Sequence, residues 1–151
     1  MKDYNITKLT PTTVGNIYDV SMQTTPDSYF TSGAQAVAQQ FIKILLTTQG
    51  TDKMQTSLGA NLYRYLTGSP DVDDPFFKME VQRMIAEAKD QMIEYQDEED
   101  TDENERLLSA TLLDIFMDER TNSVVISIRI QTEAGNALDV DIPPPNTSRL
   151  L

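Results

Sequence analysis

Apolar residues in the first half of the chain repeat with the period of an α-helix. Between residues 32 and 47, Val37 and Phe41 lie four positions apart on one face, and Gly50 follows as a helix stop. Additional alanine, isoleucine and leucine positions widen this apolar surface beyond a single stripe. A helix of this kind is covered on two sides, and the second cover is either the protein's own core or another chain.

Two further helices are predicted downstream. A short one fits residues 60–67 and is ended by Gly68. A longer one starts with Asp74 as its N-cap and Pro75 at its first position, and it runs to about residue 95. Its apolar stripe is rich in methionine, which we interpret as core filling.

The apolar period changes to two after residue 106, which indicates β-strands. Segment 123–132 alternates strictly between apolar and polar residues, segment 107–117 is rich in β-forming residues, and segment 137–142 alternates again. The prolines at 143–145 cannot extend a strand ladder. The chain is therefore predicted to be an α+β protein in which N-terminal helices precede a small antiparallel β-meander packed on them.

The chain of 151 residues is long enough for one domain with its own core. We assign residues 32–142 to that domain, 1–31 to an extended N-terminal arm and 143–151 to a proline-rich C-terminal tail. Isolated apolar residues in the arm leave two interpretations open, which are a loose terminus and a segment that lies along a partner.

Charge narrows the range of partners. The 24 acidic and 12 basic residues give a formal net charge of −12, which repels nucleic acid and anionic membrane surfaces, so we expect protein partners. The chain has no cysteine and hence no disulfide framework. It also shows neither a signal peptide nor a membrane span, and we expect a soluble chain in the cytoplasm.

The densest charge lies in 97-DEEDTDENE-105, with seven carboxylates in nine residues. We interpret this segment as a solvated loop. An EF-hand loop starting at Asp100 would need glycine at position six and glutamate at position twelve, where this chain has Glu105 and Thr111. The EF-hand hypothesis fails, which leaves incidental binding of a divalent cation as the alternative.

Candidate catalytic chemistry is sparse. The chain contains no histidine, cysteine or tryptophan, so the usual nucleophile and base pairs and the usual zinc ligands are missing. It also lacks the glycine-rich loops that hold phosphate. We therefore expect no enzyme activity, cofactor or metal. A lysozyme-like muralytic glycosidase, which needs only two carboxylates, remains the alternative function.

The order of elements resembles a known family. After the first helix come 47-TTQG-50, a basic residue, 57-SLGANL-62, a long helix and the β-meander, and this order is similar to the baseplate wedge and sheath-initiator family of contractile tails. That family occurs in contractile-tailed phages and in related injection and type VI secretion machines. The positions that match its motifs are Thr47, Thr48, Gly50, Lys53, Gly59, Leu62, Tyr95 and Arg106.

The resemblance implies a structural role. Members of this family sit at the baseplate, bind the helical core bundle of wedge proteins and offer a small sheet that receives strands from sheath subunits. It implies a protein of the virion, assembled in the host cytoplasm, with baseplate wedge proteins, the tail sheath protein and tube or hub proteins as partners. An acidic adaptor in an unrelated complex is a third hypothesis.

On this basis we expect two docking surfaces. The wedge surface is predicted on the first helix and the turn after it, at Phe41, Ile42, Ile44, Leu45, Leu46, Thr47, Gly50 and Lys53. The sheath surface is predicted on the sheet edge at Leu138, Val140 and Ile142. The alternative for that edge is protection by charged residues, namely Arg129, Asp139 and Asp141.

Overall fold

The structure of the protein is a computed structural model. It describes residues 3–4, 7–11, 17–22, 30–31, 33–66, 71–120 and 123–142, and before residue 33 it describes backbone strands alone. The elements in chain order are β1 (Asp3–Tyr4), β2 (Thr7–Pro11), β3 (Ile17–Met22), β4 (Phe30–Thr31), α1 (Gly33–Leu46), α2 (Leu62–Leu66), α3 (Pro75–Glu99), a 3-10 turn (Glu103–Glu105), β5 (Leu107–Asp118), β6 (Ser123–Thr132) and β7 (Ala137–Ile142).

The helices pack on an antiparallel β5-β6-β7 meander, which confirms the predicted α+β fold. The core joins fully buried residues of α1, α3 and β6, represented by Phe41, Met92 and Ile128. Burying one such side chain contributes about 1.5–3 kcal/mol. Met84 and Met92 are both buried, so the methionine stripe of α3 is core, as predicted.

The N-terminal arm adds two strands to this sheet. The full order is β2-β3-β7-β6-β5, with β2 and β3 paired antiparallel. The β3 strand runs parallel to β7, and its residues 17–19 pair with 139–141. In this structure β2 and β3 of the arm therefore belong to the chain's own sheet, while β1 and β4 pair with each other in a separate two-stranded sheet. In β3 apolar and polar residues alternate from 18 to 22, but this short alternation stands in a stretch rich in polar residues and did not by itself indicate a strand.

Helix α3 continues one turn beyond the predicted end near residue 95, to Glu99, and Asp100 closes it in the left-handed conformation with φ 50°. The acidic segment 97–105 is mostly exposed, as predicted, but the prediction that it forms one loop was wrong. Its first three residues belong to the helix and its last three to the 3-10 turn. Glutamate is a good helix former, and Arg106 forms an ion pair with Asp97 that offsets the unfavourable acid at a helix C-terminus.

Candidate functional site

The apolar face of α1 points into the protein. Phe41, Ile42 and Leu45 are fully buried, and Ile44 is 5% exposed. Because α1 contacts both α3 and the sheet, its wide apolar surface is covered on two sides by its own chain. The prediction that these four residues bind a wedge partner was therefore wrong, since they are core residues. The next residue, Leu46, is half-buried.

Strand β7 does not form an edge. It pairs with β6 on one side and with β3 on the other. Val140 is fully buried, Ile142 is 2% exposed and Leu138 is half-buried against the core. The prediction of a sheath-accepting edge at these three residues was wrong because β3, a strand of the arm, pairs with β7.

An uncovered edge lies instead along β5. Within the described part of the chain, β5 pairs with β6 alone and ends the sheet. It is 12 residues long and contains no lysine, arginine or proline; its only charged residues are Asp114 and Asp118, near its C-terminal end. Four of its apolar side chains reach solvent, with Leu108 50%, Leu113 43%, Met117 41% and Phe116 39% exposed. A long strand with exposed apolar residues is a candidate site for pairing with another chain.

Two β-bulges account for the spacing of apolar residues along β5. The register with β6 shifts between Leu107 and Ser109 and again between Leu112 and Asp114. Leu108 and Leu113 are the extra residues at these bulges, and both are exposed. A bulge inserts one extra residue and so reverses the face that each following residue occupies. Apolar residues that are three positions apart across a bulge in β5 therefore lie on the same face of the sheet.

The start of β5 is fixed to the helices by polar contacts. Gln96 on α3 is 1% exposed; its amide nitrogen donates to the Glu105 carbonyl and its oxygen accepts the Leu107 N–H, both at 2.8 Å. The Glu105 carboxylate in turn accepts the Gly33 N–H at the start of α1, at 3.1 Å. Arg106 pairs with Asp97 and Glu133. These contacts define where the strand begins.

The segment between α1 and α2, which we call the pinned loop (residues 47–61), is held by its own backbone. The Ala60 N–H donates to the Ile44 carbonyl at 3.0 Å, and the Asn61 N–H donates to the Thr47 carbonyl at 3.1 Å. Across the loop the Gly50 N–H donates to the Thr56 carbonyl at 2.9 Å. The C-terminal end of the loop is therefore hydrogen-bonded directly to the C-terminal end of α1.

Gly59 occupies the tightest point of the pinned loop. Its φ is +119°, and a Cβ atom there would lie 2.3 Å from the Thr47 carbonyl oxygen. Only glycine accommodates both the dihedral angle and the close approach. Gln91 on α3 accepts the Gly59 N–H at 2.9 Å and donates to its carbonyl at 3.2 Å, while Gln49 donates to the same carbonyl at 3.0 Å.

The tip of the pinned loop is ordered yet exposed. The Asp52 carboxylate accepts the N–H groups of Met54 and Gln55 at 2.8 and 3.2 Å. Met54 is 92% exposed, and the predicted wedge residues Gly50 and Lys53 are exposed beside it. The loop therefore offers side chains to a partner while several of its backbone N–H groups are bonded within the chain.

The other described positions that match the family's motifs contact their own chain. Leu62 is fully buried at the start of α2. Tyr95 is half-buried and donates its hydroxyl proton to Glu99 at 2.7 Å. Thr47 is half-buried at the end of α1, where its N–H donates to the Lys43 carbonyl at 3.0 Å.

An open pocket of about 570 Å³ lies between α2 and α3. Tyr65 stacks there on Phe77 with ring centroids 5.6 Å apart. Burial, followed by the negative charge of Glu80, raises the pKa of the Tyr65 phenol above its ordinary value. Arg83 is engaged with Glu80 and Glu87 at 3.2 and 3.1 Å. The guanidinium of Arg83 is thus held by carboxylates of its own helix.

Metal binding, membrane spanning and similarity to known proteins complete the description. Across the ranges the structure describes, no group of three or more acidic residues is arranged to hold a metal ion. None of the helices described has the length and apolar character needed to cross a membrane. The chain matches no protein-family model, and no curated protein is significantly similar to it in sequence.

Proposed function

We propose that this protein is a structural component of a contractile-tail baseplate, which binds the wedge and initiates the sheath by accepting sheath strands on its β-sheet. The resemblance in the order of elements supports this proposal, as does the α+β fold. The observation that carries it is the uncovered 12-residue edge of β5, with Leu113 and Phe116 exposed along it. In this function the protein belongs to the virion baseplate and is assembled in the host cytoplasm.

The accepting edge in this proposal is β5 and not β7. A strand arriving at β7 has to displace β3, whereas a strand arriving at β5 meets an edge that no described strand occupies. Strand addition of this kind takes its affinity from main-chain hydrogen bonds and its specificity from alternate side chains.

Order-of-magnitude free energies indicate which contacts supply the affinity of such docking. A five-residue strand adds about five hydrogen bonds at roughly 0.5–1.5 kcal/mol each, while ordering it costs about 1–2 kcal/mol per residue. Pairing of the backbone alone is therefore close to neutral. Burial of exposed side chains such as Leu113 and Phe116 has to supply the net affinity, and several subunits acting together strengthen it further. We expect weak binary complexes and stable rings.

The wedge surface in this proposal is the tip of the pinned loop. The core residues of α1 are inaccessible, but Lys53 and Met54 are exposed on an ordered turn. An ordered turn loses little conformational entropy on docking, so side-chain contacts there contribute efficiently to affinity.

Co-expression with the candidate wedge and sheath proteins of the same genome, followed by size-exclusion chromatography with light scattering, tests the proposal. We expect Leu113→Lys with Phe116→Lys to lose sheath binding and keep wedge binding. Lys53→Ser with Met54→Ser should do the reverse. Met79→Ser, at an exposed apolar position on α3, is the matched control and should change neither.

Two results would contradict the proposal. If the wild-type chain elutes alone with every candidate partner, the resemblance to the baseplate family extends to the fold only. If the purified chain instead clears a suspension of peptidoglycan, the muralytic alternative replaces the structural function.

A further inference from the structure

The β5 edge contains one uninterrupted stretch, residues 114–118. After the second bulge, Asp114 to Asp118 pair with residues 127 to 123 of β6 without any shift in register. Residues directly opposite in antiparallel strands share a face. Ile115 and Met117 therefore lie on the core side of the sheet, opposite Ile126 and Val124, which are 0% and 5% exposed.

Asp114, Phe116 and Asp118 lie on the opposite, outer face of the sheet. All five charged residues of β5, β6 and β7 share that face according to the register: Asp114, Asp118, Arg129, Asp139 and Asp141. Four carboxylates and one guanidinium give the outer face a net charge of −3.

The single cation that β5, β6 and β7 place on this face is already paired. Arg129 donates to both carboxylate oxygens of Asp139, at 2.7 and 2.8 Å. This hydrogen bonding raises the pKa of Arg129 above its ordinary value. The neighbouring row across the sheet runs from Asp114 through Ser127 to Asp141, and Ser127 donates its hydroxyl proton to Asp141. Negative charge therefore reaches the edge at Asp114 without a compensating side chain in its row.

The two acids at the ends of the stretch differ in their surroundings. Asp114 is exposed, and its carboxylate accepts the N–H of Ile115 at 2.8 Å. Asp118 is half-buried and accepts the Arg120 N–H at 3.0 Å, with the Arg120 guanidinium at 3.7 Å. Asp114 should consequently have the larger effect on an approaching strand, because its charge has no cation nearby among the contacts described.

A second copy of the same chain fits this edge poorly. The antiparallel register that uses the whole stretch 114–118 of both copies centres on Phe116. It places Asp114 of each copy directly opposite Asp118 of the other, and like charges in that position are destabilising. The charge pattern therefore disfavours a symmetric dimer through β5 and favours a partner of opposite charge.

We propose that residues 114–118 of β5 bind an extended segment of a partner protein that carries Lys or Arg opposite Asp114 and Asp118 and apolar residues at the three positions between them. The inference rests on the proposed strand-accepting function and names the chemistry of the accepted strand. In this register the basic side chains meet the acidic outer face together with the middle apolar side chain, which lies beside Phe116. The other two apolar side chains lie on the core side of the sheet, beside Ile115 and Met117.

The test uses the full chain and two labelled synthetic nonapeptides, one with a central Lys-Val-Phe-Val-Lys and one with Glu-Val-Phe-Val-Glu. Binding is measured by fluorescence anisotropy at low salt, and the site by NMR amide shifts. We expect the Lys peptide to bind about tenfold more tightly than the Glu peptide and to shift residues 113–118 but not 138–142. Methylation of alternate backbone nitrogens in the Lys peptide should abolish binding, because strand pairing needs those N–H groups.

Charge variants complete the test. Asp114→Lys, at an exposed position, should reverse the preference so that the Glu peptide binds more tightly. Asp90→Lys makes the same charge change on the exposed surface of α3 and should leave the preference unchanged. Equal effects of the two variants would show a response to overall charge only and would overturn the inference.

The remaining outcomes separate this inference from the proposed function. If both peptides bind at 113–118 with equal affinity, strand acceptance stands and charge selection is overturned. If neither peptide shifts these residues, strand acceptance at β5 fails together with the inference. A concentration-dependent dimer with residues 114–118 protected from amide exchange would identify a second copy as the occupant and also overturn it.

Discussion

The pinned loop and the β5 edge are both exposed, and they differ in what happens to their backbone groups. In the loop, N–H groups such as those of Gly50 and Ala60 are bonded within the chain. Along β5 the side facing away from β6 has no described strand beside it. The loop therefore offers a partner mainly its side chains, whereas the edge can also extend a sheet. Accessibility alone does not distinguish these two modes of docking, but the accounting of backbone hydrogen bonds does.

The sharpest test of this contrast is Gly59→Ala. The left-handed φ and the clash with the Thr47 carbonyl should lower the free energy of unfolding by about 2–5 kcal/mol. Gly50→Ala is the matched control, since its φ is +87° but no atom lies within 4 Å of the added Cβ; we expect a loss of about 1–2 kcal/mol. Urea denaturation measures both values. Equal losses would mean that the loop is not closed tightly at Gly59.

The next largest effect is expected for Gln96→Ala, at the anchored start of β5. This substitution leaves the buried Leu107 N–H without its acceptor and removes packed atoms, so stability should fall by about 2–4 kcal/mol. Urea denaturation again gives the loss, and amide exchange should show faster opening at residues 107–110. Glu94→Ala, at an exposed position on the same helix, serves as the control and should have little effect. A loss below about 0.5 kcal/mol for Gln96→Ala would contradict the anchoring role.

A smaller effect is expected for Gln91→Ala, which removes the contacts between α3 and the pinned loop. The Gly59 N–H loses its acceptor, and we expect a loss of about 1–2 kcal/mol. Hydrogen exchange should accelerate in residues 49–60 and remain unchanged along β5. Faster exchange in both regions would show that the loop and the edge open together, which would contradict the difference drawn between them.

The smallest effect is expected for Leu113→Lys on the exposed side of β5. Because Leu113 is a bulge residue and 43% exposed, stability should change by no more than about 0.5 kcal/mol. Ile128→Ala, on the adjoining strand and fully buried, should by contrast lose about 2–5 kcal/mol. Thermal denaturation of both variants checks the difference. A large loss for Leu113→Lys would place that residue in the core and remove it from the docking surface.

Local sequence rules predicted most of the domain's secondary structure. Asp74 caps α3 and Pro75 occupies its first position, as their chemistry requires, and β6 and β7 have the predicted bounds 123–132 and 137–142. The docking surfaces were predicted less well. Phe41 and Ile44 proved to be core because one apolar face looks the same whether the chain or a partner covers it.

Other features had no local signature. The bulges at Leu108 and Leu113 depend on how β5 aligns with β6. The buried Gln96 amide is indistinguishable in sequence from its exposed neighbours, because its role depends on the nearby backbone of Glu105 and Leu107. The pairing of β3 with β7 joins segments about 120 residues apart and rests on hydrogen bonds that any extended backbone offers.

The sequence by itself determined the helices, the meander strands, the acidic charge and the absence of histidine and cysteine, because these follow from local periodicity, caps and composition. The tertiary structure alone decided that β7 is internal, that β5 ends the sheet with one side that no described strand covers, and that α1 is enclosed. The physical reason is that burial and strand order depend on contacts between distant segments, and in this chain those contacts determine which apolar residues remain for a partner.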